Sequence, residues 1–330
     1  MKTLPSITDV AQLAGVSIAT VSRVLNNSKP VEAQTRERVE QAITKLKYRA
    51  SAFGRGLANS RSQLLLVLVP DFSNPFYAQS VQGVGHIAHQ HGYKILLSDL
   101  SGTETVQNLG SAAHFDRLAD GVISLAHLDD SRGELEELRR LPWVACSEFV
   151  PESGIPYVSI DHCQAAQDAV QYLINRGHQR IGLITADEDY RWAAQRREGY
   201  AIALKRAGLP FEPELVRTVS STDYAMGQQA AAGFLTLAKL PSAVFALSDT
   251  LAIGAIKAFK RAGKRVPEDV AVVGFDNLPL ADVFEPGLTT IAQPMRELGE
   301  VAAALLLERL AGGSPASRTL MHTLMVRDSA

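Results

Sequence analysis

Five residues in one short stretch carry side chains suited to reading a nucleic acid. Ile18 and Ala19 offer methyl groups, Thr20 and Ser22 offer hydroxyls, and Arg23 offers a guanidinium. Methyl groups can pack on the methyl of thymine, whereas hydroxyls and guanidinium groups bond to phosphates or base edges. If the stretch is a helix, we expect these five side chains to point outward.

Two short helices joined by a tight turn would present that stretch. Thr8 is a good N-cap for the first helix, and Gly15 can take the positive φ that a tight turn needs. Ser17 is placed to cap the second helix, whose Val21 and Val24 can pack back on the first. This pattern is typical of the helix-turn-helix, whose second helix enters the major groove of DNA. An ordinary helical hairpin is the alternative, but the caps, the turn and the exposed face all agree with the first interpretation.

Charge is distributed unevenly along the 330 residues. Residues 1–61 contain ten Lys or Arg and four Asp or Glu, although the whole chain has a formal net charge of −2. A basic segment on an acidic body is typical of a local nucleic-acid-binding module. Residues 31–48 read as a third helix with one apolar face, and the small, basic residues 49–61 read as a linker.

Cysteine usage, hydropathy and histidine spacing exclude several classes of protein. Cys146 and Cys163 lack metal-ligand spacing and predict reduced thiols in a cytoplasmic protein. Neither an export signal nor an apolar run of membrane-spanning length is visible. His86, His89 and His91 have a spacing that could hold a metal, but no carboxylate is placed with them, so a solvated helix face is the simpler interpretation. We expect no metal, no cofactor and no membrane partner.

From residue 63 onward, apolar strands alternate with amphipathic helices. Strands are predicted at 64–70, 93–98, 121–125, 158–161, 180–185, 243–247 and 270–275, and helices at 75–90, 105–118, 162–176, 191–207 and 295–310. This alternation predicts an α/β fold with parallel sheets in two successive halves. In such folds, ligands bind at the carboxyl ends of the strands and between the halves.

Residues at the predicted strand ends are therefore candidates for a small-molecule site. Phe76 and Tyr77 could stack on a flat ring beside the amide of Asn74, although both aromatics could equally fill the core between the halves. The carboxylate of Asp276 could accept two hydroxyl hydrogen bonds, which suits the vicinal diol of a sugar or a ribose. No P-loop, GxGxxG after a strand, or nucleophile elbow is visible, so we predict that the chain is not an enzyme.

The motif DVAxxAGVSxATVSRVLNN, followed by TRERVxxAxxxLxY and SAxxRxLA, resembles the LacI/GalR family of bacterial transcription repressors. The resemblance implies a homodimer, with a tetramer left open, that binds double-stranded operator DNA. It also implies that the residues after the third helix form a hinge helix on DNA, where Leu57 wedges into the minor groove. Gly54 and Gly56 would weaken that helix by roughly 1 kcal/mol each relative to Ala. The DNA-contacting residues expected are Thr8, Ser17, Ile18, Ala19, Thr20, Ser22, Arg23, Asn26, Arg55 and Leu57.

The same resemblance implies a two-lobed, periplasmic-binding-protein-like body with a small-molecule effector bound between the lobes. Effector binding would alter hinge-helix order and operator affinity. The boundaries expected are 1–49 for the head, 50–62 for the hinge, about 63–161 with 293–319 for lobe 1, and about 162–292 with 320–330 for lobe 2. The effector-binding residues expected are Asn74, Phe76, Tyr77, Phe149, Asp161, Arg196, Thr222, Asp249 and Asp276. Glu148, which precedes Phe149 at a strand end, is expected in the lining as well.

Longer runs of sequence, such as VPDFSNPF and GFDNLPLADVFEPGLTTIAQP, look most like the cytidine-repressor branch of that family, which implies a nucleoside effector. Thr222 counts against this, because an aromatic residue would be expected there to stack on the base. A nucleobase or a sugar is the alternative effector. A solute-binding transport protein is a more distant alternative, since it would need an export signal and no DNA-binding head. A sugar or nucleoside enzyme would need a catalytic constellation.

Overall fold

The computed structural model describes residues 5–26, 29–48, 61–100, 119–126, 141–151, 153–187 and 190–330. The chain divides into two compact units, Met1–Gln63 with Arg117–Asp120 and Leu64–Asp116 with Gly121–Ala330. The predicted helix 105–118 and most of the predicted hinge, residues 50–60, lie outside the described residues.

The first unit contains the helices α1 (Ile7–Ala14), α2 (Ile18–Asn26) and α3 (Ala33–Leu46). One small apolar core joins them, because each helix turns its apolar stripe inward. Its buried members are Val10, Ala11, Ala14, Val21, Val24, Val39 and Ala42. Gly15 ends α1 at φ 63°, the left-handed conformation predicted for the turn.

The second unit contains two six-stranded sheets. The strands of the first are β1 (Leu64–Val69), β2 (Lys94–Asp99), β3 (Gly121–Ser124), β4 (Trp143–Cys146), β5 (Tyr157–Ile160) and β11 (Arg318–Leu320). They lie in the order β11-β5-β4-β3-β1-β2 and pair in parallel. The helices α4 (Pro75–Gln90) and α10 (Met295–Leu310) pack on this sheet through one apolar core. We call this sheet with α4 and α10 lobe 1.

The second sheet, with its helices, is lobe 2. Its strands are β6 (Ile181–Thr185), β7 (Val216–Thr218), β8 (Ala243–Ala246), β9 (Ala271–Asp276), β10 (Thr289–Ala292) and β12 (Thr323–Met325). They lie in the order β12-β10-β9-β8-β6-β7, and β12 runs antiparallel to β10. Its helices are α5 (His162–Asn175), α6 (Arg191–Arg206), α7 (Tyr224–Leu235), α8 (Asp249–Arg261) and α9 (Pro279–Val283). The α/β class with parallel sheets is confirmed.

The chain crosses between the lobes at three places. The first crossing, at Asp161, joins β5 to α5. The second, at Gln293-Pro294, joins β10 to α10, and the third, at Met321-His322, joins β11 to β12. The carboxyl ends of parallel strands from both lobes therefore lead directly into these crossings, which brings the loops after the strands together between the lobes.

Helices α4 and α10 touch backbone to backbone. A Cβ atom on Gly83 would overlap the carbonyl of Arg296, and one on Gly299 would overlap the carbonyl of Ser80. Gly85, on the same helix as Gly83, is different, because a Cβ there would meet only the Cδ1 of Ile95 at 3.5 Å. Glycine is therefore required at Gly83 by space rather than by backbone conformation.

This difference predicts opposite effects of two alanine substitutions. Gly83→Ala should lower the free energy of unfolding by about 1–3 kcal/mol, because the added methyl forces the helices apart. Gly85→Ala should leave it unchanged or raise it by about 0.5–1 kcal/mol, since alanine is the better helix former. Urea unfolding followed by circular dichroism measures both, and equal shifts in the two variants would contradict the close helix contact.

Candidate functional site

The first helix of the head begins earlier than the sequence pattern predicts, and the prediction that Thr8 caps it is wrong. The N-cap is Ser6, whose hydroxyl oxygen accepts the Asp9 N–H at 3.3 Å, while the Asp9 carboxylate accepts the Ser6 N–H at 2.7 Å. This reciprocal capping box holds the pKa of Asp9 below its usual value. Thr8 lies exposed within α1 and has Ala11, which cannot complete such a box, three residues later.

The cap of the second helix is confirmed at Ser17. Its hydroxyl oxygen accepts the Thr20 N–H at 3.2 Å, and the two hydroxyls lie 2.9 Å apart. Capping in this way fixes where α2 begins, and so which side chains its outer face presents.

The outer face of α2 is only partly the one predicted. Ile18 is 47% exposed, and Ala19 and Arg23 are also exposed. Thr20 and Ser22 are half-buried, and Thr20 is already engaged by the cap. The side chains that stand out furthest are therefore two apolar groups and one guanidinium.

The structure describes no side chain for three of the expected DNA contacts. Asn26 ends α2, but its side chain is not described, and Arg55 and Leu57 fall in the undescribed part of the hinge.

A cavity lies between the two lobes. Clefts between the parts of a protein are common places for small-molecule sites. The residues that line it are Pro70, Asn74, Phe76, Tyr77, Leu125, Ser147, Glu148, Tyr190, Trp192, Arg196, Thr222, Ser248, Asp276 and Gln293. Of the residues expected at the effector site, the lining includes Asn74, Phe76, Tyr77, Glu148, Arg196, Thr222 and Asp276.

Two other expected residues are placed away from the lining. Phe149 stacks face to face on Tyr157, with ring centroids 3.7 Å apart, and the guanidinium of Arg191 lies 4.8 Å above its ring. Asp161 is the N-cap of α5, where its carboxylate accepts the Gln164 N–H at 2.9 Å. In both cases the side chain is engaged by a neighbour within the fold.

Asp249 is also absent from the lining. It is fully buried, and its carboxylate accepts the Leu278 N–H at 2.7 Å and the Thr290 hydroxyl at 2.6 Å. Burial raises the pKa of Asp249 well above its usual value, and the nearby Asp276 raises it further. The Asp249 side chain thus joins the start of α8 to the segment after β9 and to β10 itself.

Arg196 is the charged centre of the lobe 2 wall, and its side chain is held by three groups. It donates from Nη1 to the Leu247 carbonyl and from Nε to the Nδ1 of His162 at 3.3 Å, and its Nη2 lies 4.0 Å from the Asp276 carboxylate. Burial lowers the pKa of Arg196 to about 10, although Asp276 opposes the shift. The guanidinium therefore stays charged at neutral pH.

Aromatic rings enclose the same guanidinium. Its Cζ atom lies 3.5 Å from the ring centroid of Phe275 and 4.9 Å from the ring centroid of Trp192. The ring centroids of Trp192 and Tyr190 are 5.7 Å apart. Trp192 precedes Arg196 by one helical turn, so both face the cavity from α6. The wall combines a flat cation with a flat apolar surface.

Asp276 ends β9 and is bonded across the second crossing. The Nε2 of Gln293 donates to its carboxylate at 2.7 Å. Burial raises the pKa of Asp276 to about 6, while Arg196 and Gln293 oppose the shift. At pH 7 it is mainly a carboxylate that can accept ligand hydroxyls. The Oε1 of Gln293 is buried and has no hydrogen-bond partner among the described residues, so it is a second acceptor for a ligand.

The lobe 1 wall begins at the first turn of α4. Asn74 caps this helix by accepting the Phe76 N–H at 3.0 Å, and the rings of Phe76 and Tyr77 meet edge to face at 5.2 Å. Both rings pack against the lobe 1 core and also line the cavity. Burial, with Glu148 and Asp276 nearby, raises the pKa of Tyr77, which keeps its hydroxyl protonated.

A tight turn after β4 completes this wall. The Glu148 N–H donates to the Cys146 carbonyl at 2.9 Å, so Ser147 is the centre of a γ-turn at φ 71°. The buried Glu148 carboxylate accepts the Arg191 N–H of lobe 2 at 3.2 Å. This bond joins the two walls directly.

Several residues of the lining are not among those expected from the sequence, and only some of them have a sequence pattern that could have indicated them. Trp192 could have been found from its one-turn spacing to Arg196. Ser147, Ser248 and Gln293 could not, because only the tertiary fold brings their loops to the cavity. The lining residues that were not assigned are Pro70, Leu125, Ser147, Tyr190, Trp192, Ser248 and Gln293.

Both parts of the chain match known family models. Residues 6–51 match "Bacterial regulatory proteins, lacI family", and residues 170–330 match "Periplasmic binding protein-like domain". The HTH-type transcriptional repressor CytR of Escherichia coli strain K12 is 38% identical over 332 residues, which cover 99% of this chain and 97% of that protein. The chain belongs to the lacI family.

Solved structures of the lacI family match over the same length. A transcriptional regulator CelR–cellobiose complex is 34% identical with a TM-score of 0.76, covering 99% of this chain and 100% of that one. The lac repressor dimer bound to operator and the anti-inducer ONPF is 28% identical with a TM-score of 0.84, covering 99% of each chain.

The lacI-family protein is thus a DNA-binding transcriptional regulator and not an enzyme. Its described residues contain no cluster of side chains that could hold a metal ion. No helix among them has both the length and the apolar character needed to cross a membrane.

The capping box predicts which residue sets the start of α1. Ser6→Ala should reduce the stability of the helix by about 1 kcal/mol, whereas Thr8→Ala at an exposed position should change it little. Hydrogen exchange of the α1 amides in the full chain measures both effects. A larger loss of protection in Thr8→Ala than in Ser6→Ala would contradict the assignment of the cap.

Proposed function

We propose that this lacI-family protein is a cytoplasmic transcriptional repressor that binds operator DNA as a homodimer. A small effector held in the interlobe cavity changes its operator affinity. Similarity over the whole length to CytR, and to a lac repressor dimer bound to operator, supports the DNA-binding half of this proposal. The observation that carries the effector half is the buried pair of Arg196 and Asp276, which lie 4.0 Å apart in the cavity wall.

The chemistry of the cavity favours a nucleoside. Asp276 and Gln293 present acceptors to vicinal hydroxyls, and the charge of Arg196 lies beside them. Tyr77 of lobe 1 and Trp192 of lobe 2 place aromatic rings on opposite walls of the cavity, where a flat ligand ring can pack against them. A nucleoside carries both a vicinal diol and a flat ring, so it uses both parts of the lining. Trp192 supplies the aromatic surface that Thr222 lacks.

A sugar is the second candidate. Ser147, Thr222 and Ser248 add hydroxyl-bearing residues to the lining, and these suit a ligand with many hydroxyls and no flat aromatic ring. The CelR–cellobiose complex is a relative whose ligand is of this type.

On DNA, the exposed face of α2 limits what can be read. Ile18 and Ala19 can contact thymine methyl groups but cannot make the paired hydrogen bonds that select guanine or adenine. Arg23 binds a phosphate or a neighbouring base edge. Much of the operator affinity therefore comes from the hinge, where Leu57 wedges between base pairs and bends the duplex. Effector binding shifts the lobes and thereby the order of the hinge helix.

The wedge predicts a specific loss. Leu57→Ala should weaken operator binding by about tenfold or more and reduce DNA bending, because the side chain that separates the base pairs is gone. Leu57→Met is the matched control, since methionine can also act as a wedge. Gel-shift assays on circularly permuted operator fragments measure affinity and bend together. An unchanged bend in Leu57→Ala would remove the wedge from the proposal.

The effector assignment is tested by calorimetry and operator binding with one ligand panel. We expect cytidine to bind more tightly than ribose, cytosine or cellobiose, and to change operator affinity. Asp276→Asn should abolish this response while operator binding without ligand persists, because the amide cannot accept both hydroxyls. Asp269→Asn, at an exposed ion pair with Arg265, is the control. Tighter binding of cellobiose or ribose would favour the sugar candidate instead.

The raised pKa of Asp276 predicts the pH dependence of effector binding. Hydroxyl hydrogen bonds require the carboxylate, which is lost as the pH falls through about 6. Affinity should be flat between about pH 7 and 8 and fall roughly tenfold by about pH 5, one pH unit below that pKa. An affinity that rises on acidification would contradict the role of the ionised carboxyl.

A further inference from the structure

A chain of hydrogen bonds runs through the first crossing from one cavity wall to the other. The Ser159 hydroxyl donates to the Ser147 carbonyl at 3.0 Å. The Nε2 of His162 lies 3.5 Å from the same hydroxyl oxygen, and the Nε of Arg196 donates to its Nδ1 at 3.3 Å. Ser147 belongs to the lobe 1 wall and Arg196 to the lobe 2 wall.

The donors and acceptors of this chain fit only one tautomer of the imidazole. Arg196 has no acceptor, so the Nδ1 of His162 must carry the lone pair. The proton then lies on Nε2 and is donated to Ser159, whose own hydroxyl proton is used by the Ser147 carbonyl. Each group therefore donates to the next one along the chain, from Arg196 through His162 and Ser159 to the Ser147 carbonyl.

The surroundings of His162 keep the ring neutral. It is 1% exposed, and burial together with the Arg196 guanidinium lowers the pKa of His162 well below its usual value. The other charged or titratable groups that act on it are Arg191 and His322, which lower it as well. A protonated ring would have no lone pair for Arg196, so the chain requires the neutral form.

The chain follows the backbone of the crossing. Ser159 lies in β5 of lobe 1 and His162 begins α5 of lobe 2, on either side of Asp161. A change in the angle between the lobes at Asp161 must therefore stretch or re-aim the bonds that hold the Arg196 side chain.

We propose that His162 is a positioning residue that aims Arg196 into the cavity and, through Ser159, links its orientation to the first crossing. The inference rests on the proposed effector site, because Arg196 is taken to bind the ligand. The two nitrogens of His162 have separate tasks: Nδ1 sets effector affinity, and Nε2 sets how far occupancy is transmitted to the hinge.

Two substitutions of His162 separate these tasks. Asn places an amide oxygen near the position of Nδ1, so His162→Asn should keep cytidine affinity within about threefold. Gln reaches towards the position of Nε2 but offers Arg196 no acceptor there, so His162→Gln should weaken affinity about tenfold. Ser159→Ala should leave affinity nearly unchanged but lower the ratio of operator affinities without and with cytidine by roughly two- to thirtyfold.

The control is a buried hydrogen bond lost elsewhere in lobe 2. Tyr200 donates from its hydroxyl to the Ile181 carbonyl at 2.8 Å and takes no part in the chain. Tyr200→Phe should lower the melting temperature without changing cytidine affinity or the operator ratio. Equal losses of affinity in His162→Asn and His162→Gln, or an unchanged ratio in Ser159→Ala, would overturn the inference.

One readout does not depend on the effector. Nitrogen-15 spectra of the imidazoles in the ligand-free protein should show His162 at neutral pH as a neutral ring protonated at Nε2. A ring protonated at Nδ1 would overturn the chain whatever ligand the protein binds. If no ligand of the panel binds while the spectrum is as expected, the proposed effector has failed and the hydrogen-bond chain has not.

Discussion

The cavity depends on one buried cation. Arg196 is 4% exposed, and a guanidinium removed from water to that extent is costly unless charge, hydrogen bonds and polarisable surfaces replace its hydration. Here the Leu247 carbonyl, the Asp276 carboxylate and the ring of Phe275 do so. Each of these groups lies in or directly after a central strand of lobe 2. The packing of that sheet therefore determines where the charge lies and what a ligand meets.

Local signals allowed much of the fold to be predicted from the sequence. The bounds of α4 agree with the prediction because Asn74 and Pro75 give an unambiguous start, and the turn at Gly15 and the cap at Ser17 are equally local. The residue type of Thr8 suits a cap, but the N-cap of the helix is Ser6, because Ser6 has its capping partner Asp9 three residues later.

The candidate site could be predicted only in part, because long-range contacts decide which side chains reach the cavity. Asp276 and Asp249 are both acidic residues at strand ends, yet only Asp276 lines the cavity. What separates them is the bond from Asp249 to Thr290, 41 residues away, and no local pattern contains it. The γ-turn at Ser147 is a similar case, because serine has no special preference for φ 71° and long-range bonds impose that conformation. Left-handed backbone at Ser147 and Asp276 costs about 1–3 kcal/mol at each position, and both are held by side chains from elsewhere in the body.

The glycine contact between α4 and α10 has a mechanical consequence. Motions between packed helices are usually absorbed by side chains that change rotamer, but at Gly83 and Gly299 there are none to yield. The two helices form a stiff pair, with Tyr77 at the cavity end of one and the second crossing at the start of the other. The aromatic wall and the second crossing are therefore joined by two helices whose contact leaves little room for sliding.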